Sequence, residues 1–563
     1  MAFQLSPGVN VSEVDLTTVV PSVATTVGGF AGNFNWGPVD EIVTINNEVQ
    51  LVERFGKPDS NTYTSFFTAS NFLSYANDIR VVRSVGSAAN NSTTSGVPVK
   101  IDNRTDYEQN HSSGSGSIVF AAKYPGSLGN SLKVSMCDAN TALISTWAYS
   151  SQFSSNASNS VYATANGVSE DELHIVVIDT TGKISGTANT VLESFAFVSK
   201  ASDAKNTDGT TNYYKEVINS KSKWVWWLGH PSSGTNWGQT TNFIFVNDAE
   251  KQYERLNTTD FVLSGGLDSA PTAGNINSSY DSFDNPDSVD VSLIMTGATT
   301  ADTIPDYLIT MAESRKDVLV FLSPEQSDCV NNSGNEVNDI KSLRNTITSS
   351  SFAVMDSGWK YQYDKYNDVY RWIPLNGDIA GLCARTDIER DPWFSPAGFN
   401  RGQIKNVVKL AWNPTKAERD ELYKLGINPV VTFPGEGTVL YGDKTLLSRP
   451  SAFDRINVRR LFIVLEKAIA RAARSSIFEF NDEFTRAQFV NLVEPFLRDV
   501  QGRRGIYDYR VVCDTTNNTS EVIDRNEFVG DIYIKPARSI NFIQLNFVAV
   551  RTGVSFNEVV GTF

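Results

Sequence analysis

The sequence predicts a multidomain protein of the α/β and α+β classes, in which an all-β domain interrupts an α/β middle domain. Two observations lead to this prediction. Short strand-like and helix-like segments alternate in residues 21–87 and again in 288–440, which is typical of a sheet with parallel strands. The intervening residues, 88–287, are rich in Ser, Thr, Asn and Gly and contain only short β-like runs. With 563 residues the chain is too long for one hydrophobic core, so several domains are expected.

Local signals support the discontinuous middle domain. Residues 24–32 are predicted to form a strand whose glycines permit close approach of neighbouring groups. Asn47 is expected to cap a helix that Gly56 stops. After residue 288, strand-like runs such as 317–324 alternate with helices. Because a domain insertion needs chain ends that lie close together, a junction between two strands is the expected site of the insert.

The inserted domain, 88–287, contains a cluster of three tryptophans, Trp224, Trp226 and Trp227. Such a cluster is compatible with sugar stacking or with a protein interface. A strand that buries large rings is the favoured interpretation, because aromatic side chains contribute most of their area to cores.

A C-terminal α+β domain is predicted for residues 441–550. Its first helix lies in 454–474 and its second in 482–500, with Asp482 as the cap. The second helix has a predicted core face at Phe489, Leu492, Val493, Phe496 and Val500. Strands are expected at 507–514, 529–536 and 540–551.

The first of these helices is basic although the whole chain has a net charge of −15. Residues 454–474 contain six Arg and Lys against two acidic residues. An apolar stripe predicts a core-facing side, and a second stripe is basic. A helix of this kind suits two partners, its own core and something acidic; a core helix with solvated arginines is the alternative interpretation. The apolar stripe comprises Leu461, Leu465, Ala468 and Ala472, and the basic stripe comprises Arg460, Lys467, Arg471 and Arg474.

Both ends of the chain are predicted to be extended arms, residues 1–20 and 551–563. The N-terminal arm has Val9, Val11 and Val14 but no partner strand next to it in the sequence. A strand with unpaired backbone groups must pair elsewhere. We therefore expect each arm to pair outside its own local sequence.

Composition argues against several classes of function. The net charge of −15 argues against nucleic acid as a partner, and the absence of an 18-residue apolar run argues against membrane insertion. Only three histidines occur, and the four cysteines show no metal-binding spacing. The sequence therefore predicts no catalytic residues, no metal and no cofactor.

One motif favours an alternative. The run Leu263–Ala270, LSGGLDSA, matches the SGGxDS phosphate loop of ATP pyrophosphatase-type enzymes, in which glycines expose amides to a phosphate before a helix. Ser264, Gly265, Gly266 and Asp268 would then bind ATP. The residues that follow include two prolines and many turn formers, so no helix is expected there, and a structural glycine turn is the other interpretation.

The chain resembles the tail sheath proteins of contractile-tailed bacteriophages. The resemblance is specific in the C-terminal third and weak across 88–260. LSGGLDS has a counterpart in these sheath proteins as a structural glycine turn. The segments that carry the resemblance are SPGVNVSEVD (6–15), TTVGGFAGNFNWGPVDE (25–41), LVERFGKP (51–58), RPSAFDRINVRRLFIVLEKAIARAAR (449–474), FEFND (478–482), FLRDVQGRRGIYDYRVVCD (496–514) and IYIKPARSINFIQLNFVAVRTGVSFNEVVG (532–561).

This resemblance implies a homo-oligomer of hexameric rings stacked helically around a tail tube protein, with baseplate and tail terminator proteins at the ends. It implies a virion protein, assembled in the host cytoplasm, that contracts to eject the genome. The arms would each add a strand to a neighbouring subunit, and the C-terminal one would use Val554, Phe556 and Val559. The basic stripe could then face an acidic tube wall. A sheath of a tailocin or a secretion system is a further alternative.

Overall fold

The computed structural model describes residues 23–114, 116–139, 146–242, 251–257, 259–298, 303–541 and 544. These residues form two compact units. The larger unit holds the described residues of 23–392 and 396–475, and the smaller unit holds 393–395 and those from 476 onwards.

The residues before the insert form three strands of the central sheet and two helices. Asn47 caps the first helix by accepting a hydrogen bond from the Gln50 amide at 2.9 Å, which confirms the predicted cap. Gly56, at a φ of 78°, ends that helix as expected. The elements are β1 (Gly28–Gly32), β2 (Ile42–Ile45), α1 (Glu48–Phe55), α2 (Tyr63–Leu73) and β3 (Ile79–Arg83).

The insert is not all-β, because short helices lie between its strands. The helix at 214–221 has Tyr214, Val217 and Ile218 at helical spacing, and all three are buried. Its eight residues carry too few apolar positions to stand out in a polar sequence. The elements are α3 (Arg104–Asp106), which continues into a π-helical turn (Tyr107–His111), β4 (Phe120–Ala122), β5 (Leu132–Asp138), α4 (Val161–Ala165), β6 (Glu172–Asp179), β7 (Thr190–Ser199), α5 (Tyr214–Lys221), β8 (Val225–Trp227), β9 (Asp260–Val262) and α6 (Ala273–Tyr280).

After the insert, strands and helices alternate again. The elements are β10 (Leu293–Met295), α7 (Thr303–Arg315), β11 (Leu319–Leu322), α8 (Gln326–Cys329), α9 (Glu336–Thr346), β12 (Ala353–Asp356), β13 (Trp359–Asp364), β14 (Val369–Pro374), α10 (Asn376–Glu389), β15 (Lys409–Leu410), α11 (Lys416–Lys424), β16 (Ile427–Asn428), β17 (Val430–Phe433), β18 (Gly437–Leu440) and α12 (Ile456–Ala473).

Strands from both sides of the insert share one seven-stranded sheet. Its order is β16-β12-β11-β10-β1-β3-β2, and β1 lies between β10 and β3. Gly28 of β1 is in register with Leu293 on one side and with Ile79 on the other. All neighbours are parallel except β2 and β3. The predicted mixed α/β fold with a parallel part is therefore confirmed.

Helices cover both faces of this sheet, as parallel sheets require. Alternate residues of each strand enter two different cores: Phe30 and Phe321 pack on the side of α2 and α10, and Ala31 and Val320 on the side of α7 and α9. Glycine permits the close approach of α10 to α2. A Cβ at Gly377 would lie 2.4 Å from the carbonyl oxygen of Thr68.

The insert has its own core around a four-stranded antiparallel sheet, β7-β6-β5-β9, and a separate pair, β4 and β8. The tryptophan cluster belongs to this interior. Trp226 and Trp227 are buried and Trp224 is half-buried, so the interpretation of a ring-burying strand is confirmed.

The smaller unit combines one long helix with a two-stranded antiparallel sheet. Asp482 caps the helix by accepting a hydrogen bond from the Thr485 amide at 2.8 Å, as predicted. Of the predicted core face, Phe496 is only half-buried and Leu497 is buried in addition. Trp393 joins this unit and donates a hydrogen bond to the Arg503 carbonyl at 3.1 Å. The elements are α13 (Glu483–Gly502), β19 (Ile506–Val512), α14 (Ser520–Asp524) and β20 (Asp531–Pro536).

Candidate interaction site

The basic helix α12 belongs to the larger unit. Its predicted apolar stripe is buried at all four positions, which confirms that side of the helix as a core face. At its start the Ile456 amide donates to the Asp443 carbonyl at 2.8 Å, and Arg455 pairs with the Asp443 carboxylate at 2.9 Å. The helix is thus fixed at its N-terminus and along one side.

Arg460, the first residue of the predicted basic stripe, is buried within the larger unit. Its side chain is 4% exposed and forms a two-pronged ion pair with Asp387, which is 3% exposed. It also donates to the carbonyl oxygens of Cys383 at 3.0 Å and Thr25 at 3.3 Å. In this structure Arg460 is therefore not accessible to a tube, which corrects the expectation that it faces a tube wall. The physical reason is that a guanidinium can be buried when its charge is paired and its N–H groups are hydrogen-bonded, and Asp387 supplies the opposite charge.

Lys467 lies partly under the surface, at the end of the central sheet. Its ammonium group is ion-paired with Asp290 and donates to the Ala24 carbonyl at 3.3 Å and to the Ser292 hydroxyl at 3.4 Å. Its side chain is 11% exposed. This lysine therefore also serves the fold of the larger unit.

Arg471 and Arg474 are the exposed end of the stripe, with side chains 43% and 66% exposed. Arg471 lies 3.4 Å from the Asp290 carboxylate, and Arg474 is ion-paired with Asp287. These two guanidinium groups are called the outer cations below. Of the four predicted residues, they are the ones that a partner can reach in this structure.

The acidic partners of the stripe were not identified from the sequence. Asp387 lies on α10, and Asp287 and Asp290 lie on the segment that leads into β10. A regular spacing of Asp281, Asp284, Asp287 and Asp290 was the available signal, but sequence alone does not show which helix such a row faces.

The SGG loop has a structural role in this fold. The Ser264 and Thr93 backbones exchange hydrogen bonds of 2.9 and 2.8 Å, and the Gly266 amide donates to the Asn130 side chain at 2.8 Å. Asp268 accepts from the Ser127 amide at 2.9 Å. The Ser264 and Gly266 amides are therefore engaged within the protein, which favours the structural glycine turn over the ATP loop.

The prediction that no helix follows this loop is wrong. Residues Ala273–Tyr280 form α6, and Thr272 and Asn275 build a capping box at its start. The two prolines precede the helix or follow it, so neither interrupts its hydrogen bonds.

Two histidines of the insert are packed among aromatic rings. His230 contacts Tyr214, whose hydroxyl lies 2.6 Å from Nδ1, and burial lowers the pKa of His230 to about 4. His174 stacks on Phe153 with ring centroids 4.1 Å apart, and burial lowers its pKa as well. Both rings are therefore neutral at pH 7.

Within the described residues, no cluster of three or more His, Cys, Asp and Glu side chains is arranged to hold a metal ion. Among the helices of the same residues, none combines the length and the apolarity that crossing a membrane requires.

The smaller unit has a two-stranded sheet and exposed apolar side chains. In the part of the chain that the structure describes, β19 and β20 pair only with each other. Phe478, Phe480 and Phe484 are more than two-thirds exposed. Unpaired strand edges and grouped apolar side chains mark surfaces that another chain covers. The predicted arm residues Val9, Val11, Val14, Val554, Phe556 and Val559 lie outside the described residues.

The exposed phenylalanines of the smaller unit are typical of a surface that another chain covers. Three family models match the chain: the tail sheath protein Gp18 domain III N-terminal region at 25–83, the phage tail sheath protein central domain at 272–446, and the phage tail sheath C-terminal domain at 448–549. These ranges leave most of the insert unmatched.

Two relatives cover essentially the whole chain. The tail sheath protein of Enterobacteria phage T4 is 36% identical over 99% of this chain and 99% of its own length. The tail sheath protein of Vibrio phage KVP40 is 34% identical over 99% of this chain and 100% of its own length. The chain therefore belongs to the phage tail sheath family.

A solved structure of another contractile system shares the fold. The sheath complex of an extracellular contractile injection system, PVC, in its contracted state, covers 97% of this chain and 98% of its own length. The TM-score is 0.52 at 14% sequence identity. At this identity the likeness concerns the fold alone.

Proposed function

We propose that this chain is the structural subunit of a bacteriophage's contractile tail sheath, which polymerises as stacked hexameric rings around the tail tube. Contraction then drives the tube through the host envelope during genome delivery. The observation that carries the proposal is the full-length similarity to tail sheath proteins of two phages, at 34 and 36% identity. Because both relatives are phage proteins, a phage sheath is favoured over a tailocin or secretion-system sheath.

Assembly is proposed to depend on the two terminal arms, 1–20 and 551–563. Each arm adds a strand to the sheet of a neighbouring subunit, and the sheet of β19 and β20 in the smaller unit is the proposed acceptor. Strand addition pairs the free N–H and C=O groups of both partners. A subunit that lends and receives arms in this way forms a head-to-tail polymer, which extends as a helix.

Tube attachment is proposed to use the outer cations of α12. Exposed guanidinium groups bind an acidic wall through contacts that are individually weak and sensitive to salt. Repetition over many subunits makes the attachment firm, and the weakness of each contact lets the sheath release the tube. Baseplate and tail terminator proteins are the proposed partners at the two ends of the sheath.

Contraction is proposed to be a change of packing without chemistry in the subunit. The extended sheath is a kinetically trapped arrangement above a contracted one of lower free energy. When the baseplate releases the first ring, the subunits move as nearly rigid bodies and the arms bend between them. Assembly in the host cytoplasm and residence in the virion complete this proposal.

Negative-stain microscopy of the purified full-length chain tests the proposed function. Rings or tubes of polymer are the expected result. A monodisperse monomer that persists at high protein concentration would contradict it. For the ATP-binding alternative, calorimetric titration with ATP should give no heat, and saturable heat would support that alternative instead.

A further inference from the structure

The segment 284–290 returns the chain from the insert to the central sheet and is called the acidic strap here. It contains Asp284, Asp287 and Asp290 at a spacing of three residues. No helix or strand includes it, and its backbone forms a turn at residues 286–288. Turn hydrogen bonds and a hydrogen bond from Arg315 to the Val289 carbonyl at 3.1 Å hold its backbone, and its aspartate side chains face outward.

The acidic strap lies along the exposed end of the basic helix α12. Asp290 is ion-paired with Lys467 and lies 3.4 Å from Arg471, and Asp287 is ion-paired with Arg474. Lys467 and Arg471 lie four residues apart on α12, and Arg474 is the residue at its C-terminal cap, so the three cations form one row at this end of the helix. Two carboxylates of the strap thus pair with the three cations of this row.

The ion pairs of the strap are exposed to solvent, whereas the ion pair of Arg460 with Asp387 at the other end of the stripe is buried. The Asp287 and Asp290 side chains are 69% and 39% exposed, whereas Asp387 is 3% exposed. Exposed ion pairs are weak and are screened by salt. An acidic surface brought against the helix can therefore replace the strap carboxylates at the outer cations without unfolding the larger unit.

We propose that the acidic strap is an internal competitor for the outer cations, Arg471 and Arg474. It occupies them in the free subunit and yields them to an acidic protein surface on assembly. The identity of that surface as the tube wall rests on the proposed function, but the competition itself does not. Because each outer cation must leave a strap carboxylate before it binds elsewhere, the strap lowers the affinity of every subunit for that surface.

Binding of the full-length chain to poly-L-glutamate, measured by titration calorimetry at low salt, tests this competition. Asp287→Asn releases Arg474, and Asp284→Asn is the matched control. Asp284 has the same charge on the same strap, and the described residues show no ion pair for it. Asp287→Asn should bind roughly 1.5- to 5-fold more tightly than Asp284→Asn, the range expected for one exposed ion pair. Arg474→Glu should bind more weakly than either.

Equal affinities for Asp287→Asn and Asp284→Asn would overturn the proposal, as would the absence of binding by every variant. Asp287 and Arg474 are both well exposed, so the substitution should not disturb folding; an unchanged melting temperature checks this. Asp290→Asn is a second variant with the same expected direction. Ring formation in the microscope reports on the proposed function separately, so polymerising protein with equal affinities would contradict the competition alone.

Discussion

At the residue scale, the larger unit holds several charged side chains in its interior, each against an opposite charge. Lys360 and Asp378 lie 2.8 Å apart, and both side chains are fully buried. In the insert, Lys200 and Asp138 form a similar pair at 2.7 Å. Removal of one partner from such a pair leaves an uncompensated charge away from water. The same reasoning applies to Arg460 and Asp387 beneath α12.

Arg460→Ala should destabilise the larger unit by about 3–5 kcal/mol, the usual cost of leaving one member of a buried ion pair alone. Arg471→Ala removes the same side chain from the exposed end of the same helix and should cost less than about 1 kcal/mol. Denaturant unfolding of both variants measures the difference. Equal losses for the two variants would contradict the buried assignment of Arg460.

The stability of the insert should depend on His230 in mildly acidic solution. Burial lowers the pKa of His230 to about 4, whereas an unfolded histidine titrates near 6.5. Between these values the unfolded state binds more protons, so stability falls as pH drops from about 6.5 towards 4. Because the ring is partly exposed, we expect roughly 1–3 kcal/mol from this residue after allowance for screening.

The measurement is the unfolding free energy of the wild type and of His230→Gln across this pH window. The wild type should lose stability more steeply than the variant, whose remaining slope comes from other titrating groups. Parallel curves for the two proteins would show that His230 does not contribute.

At the element scale, the features that sequence predicted well are those decided within a few residues. Asn47 and Asp482 cap their helices as expected, because the capping oxygen and the amide that donates to it are only three residues apart in the sequence. The apolar stripe of α12 likewise follows from helical periodicity. Helix α6 was missed because its apolar side is short and its prolines lie just outside it.

For the basic stripe, helical periodicity predicts which cations share one side of α12 but not which residues pack against that side. Asp387 lies 73 residues from Arg460 in the chain, and Asp290 lies 177 residues from Lys467. Periodicity places cations on one side of a helix but carries no information on what packs there from elsewhere. The division of the stripe into buried and exposed ends therefore required the tertiary structure.

Charge reversal of the outer cations, Arg471→Glu with Arg474→Glu, should leave folding intact and weaken attachment to the tube. Both side chains are well exposed, so the fold does not depend on them. Cosedimentation with purified tubes at increasing salt measures the attachment, and the melting temperature measures the folding.

The matched control for this experiment is Lys416→Glu with Lys424→Glu on α11, which changes the net charge equally at exposed positions. The control should bind tubes more tightly than the α12 variant. If the α12 variant unfolds, the outer cations support the fold and their proposed role in attachment is contradicted.

In the whole molecule, the boundary between the two compact units and the start of the C-terminal family model fall at different residues. The C-terminal family model begins at residue 448, whereas the smaller unit begins at 476, apart from Trp393–Ser395. Helix α12 therefore belongs by sequence to the C-terminal domain and by packing to the larger unit. Its cations are consequently positioned by the central sheet and the acidic strap.

Deletion of residues 1–15 should leave a folded subunit that does not polymerise. The deleted residues lie outside the described structure, in which the larger unit has buried cores and α13 of the smaller unit buries one side. Light scattering and negative-stain microscopy measure polymerisation, and circular dichroism with thermal unfolding measures the fold. Normal tubes from the shortened protein would show that the N-terminal arm is dispensable.

The central claim is that one subunit is completed by strands from its neighbours. Cryo-electron microscopy of the assembled polymer, at a resolution that traces the backbone, tests this most directly. We expect residues 1–20 or 551–563 of one subunit to pair with an edge of β19 or β20 in another. If both termini of each subunit instead pair with the sheet of their own chain, the claim is contradicted.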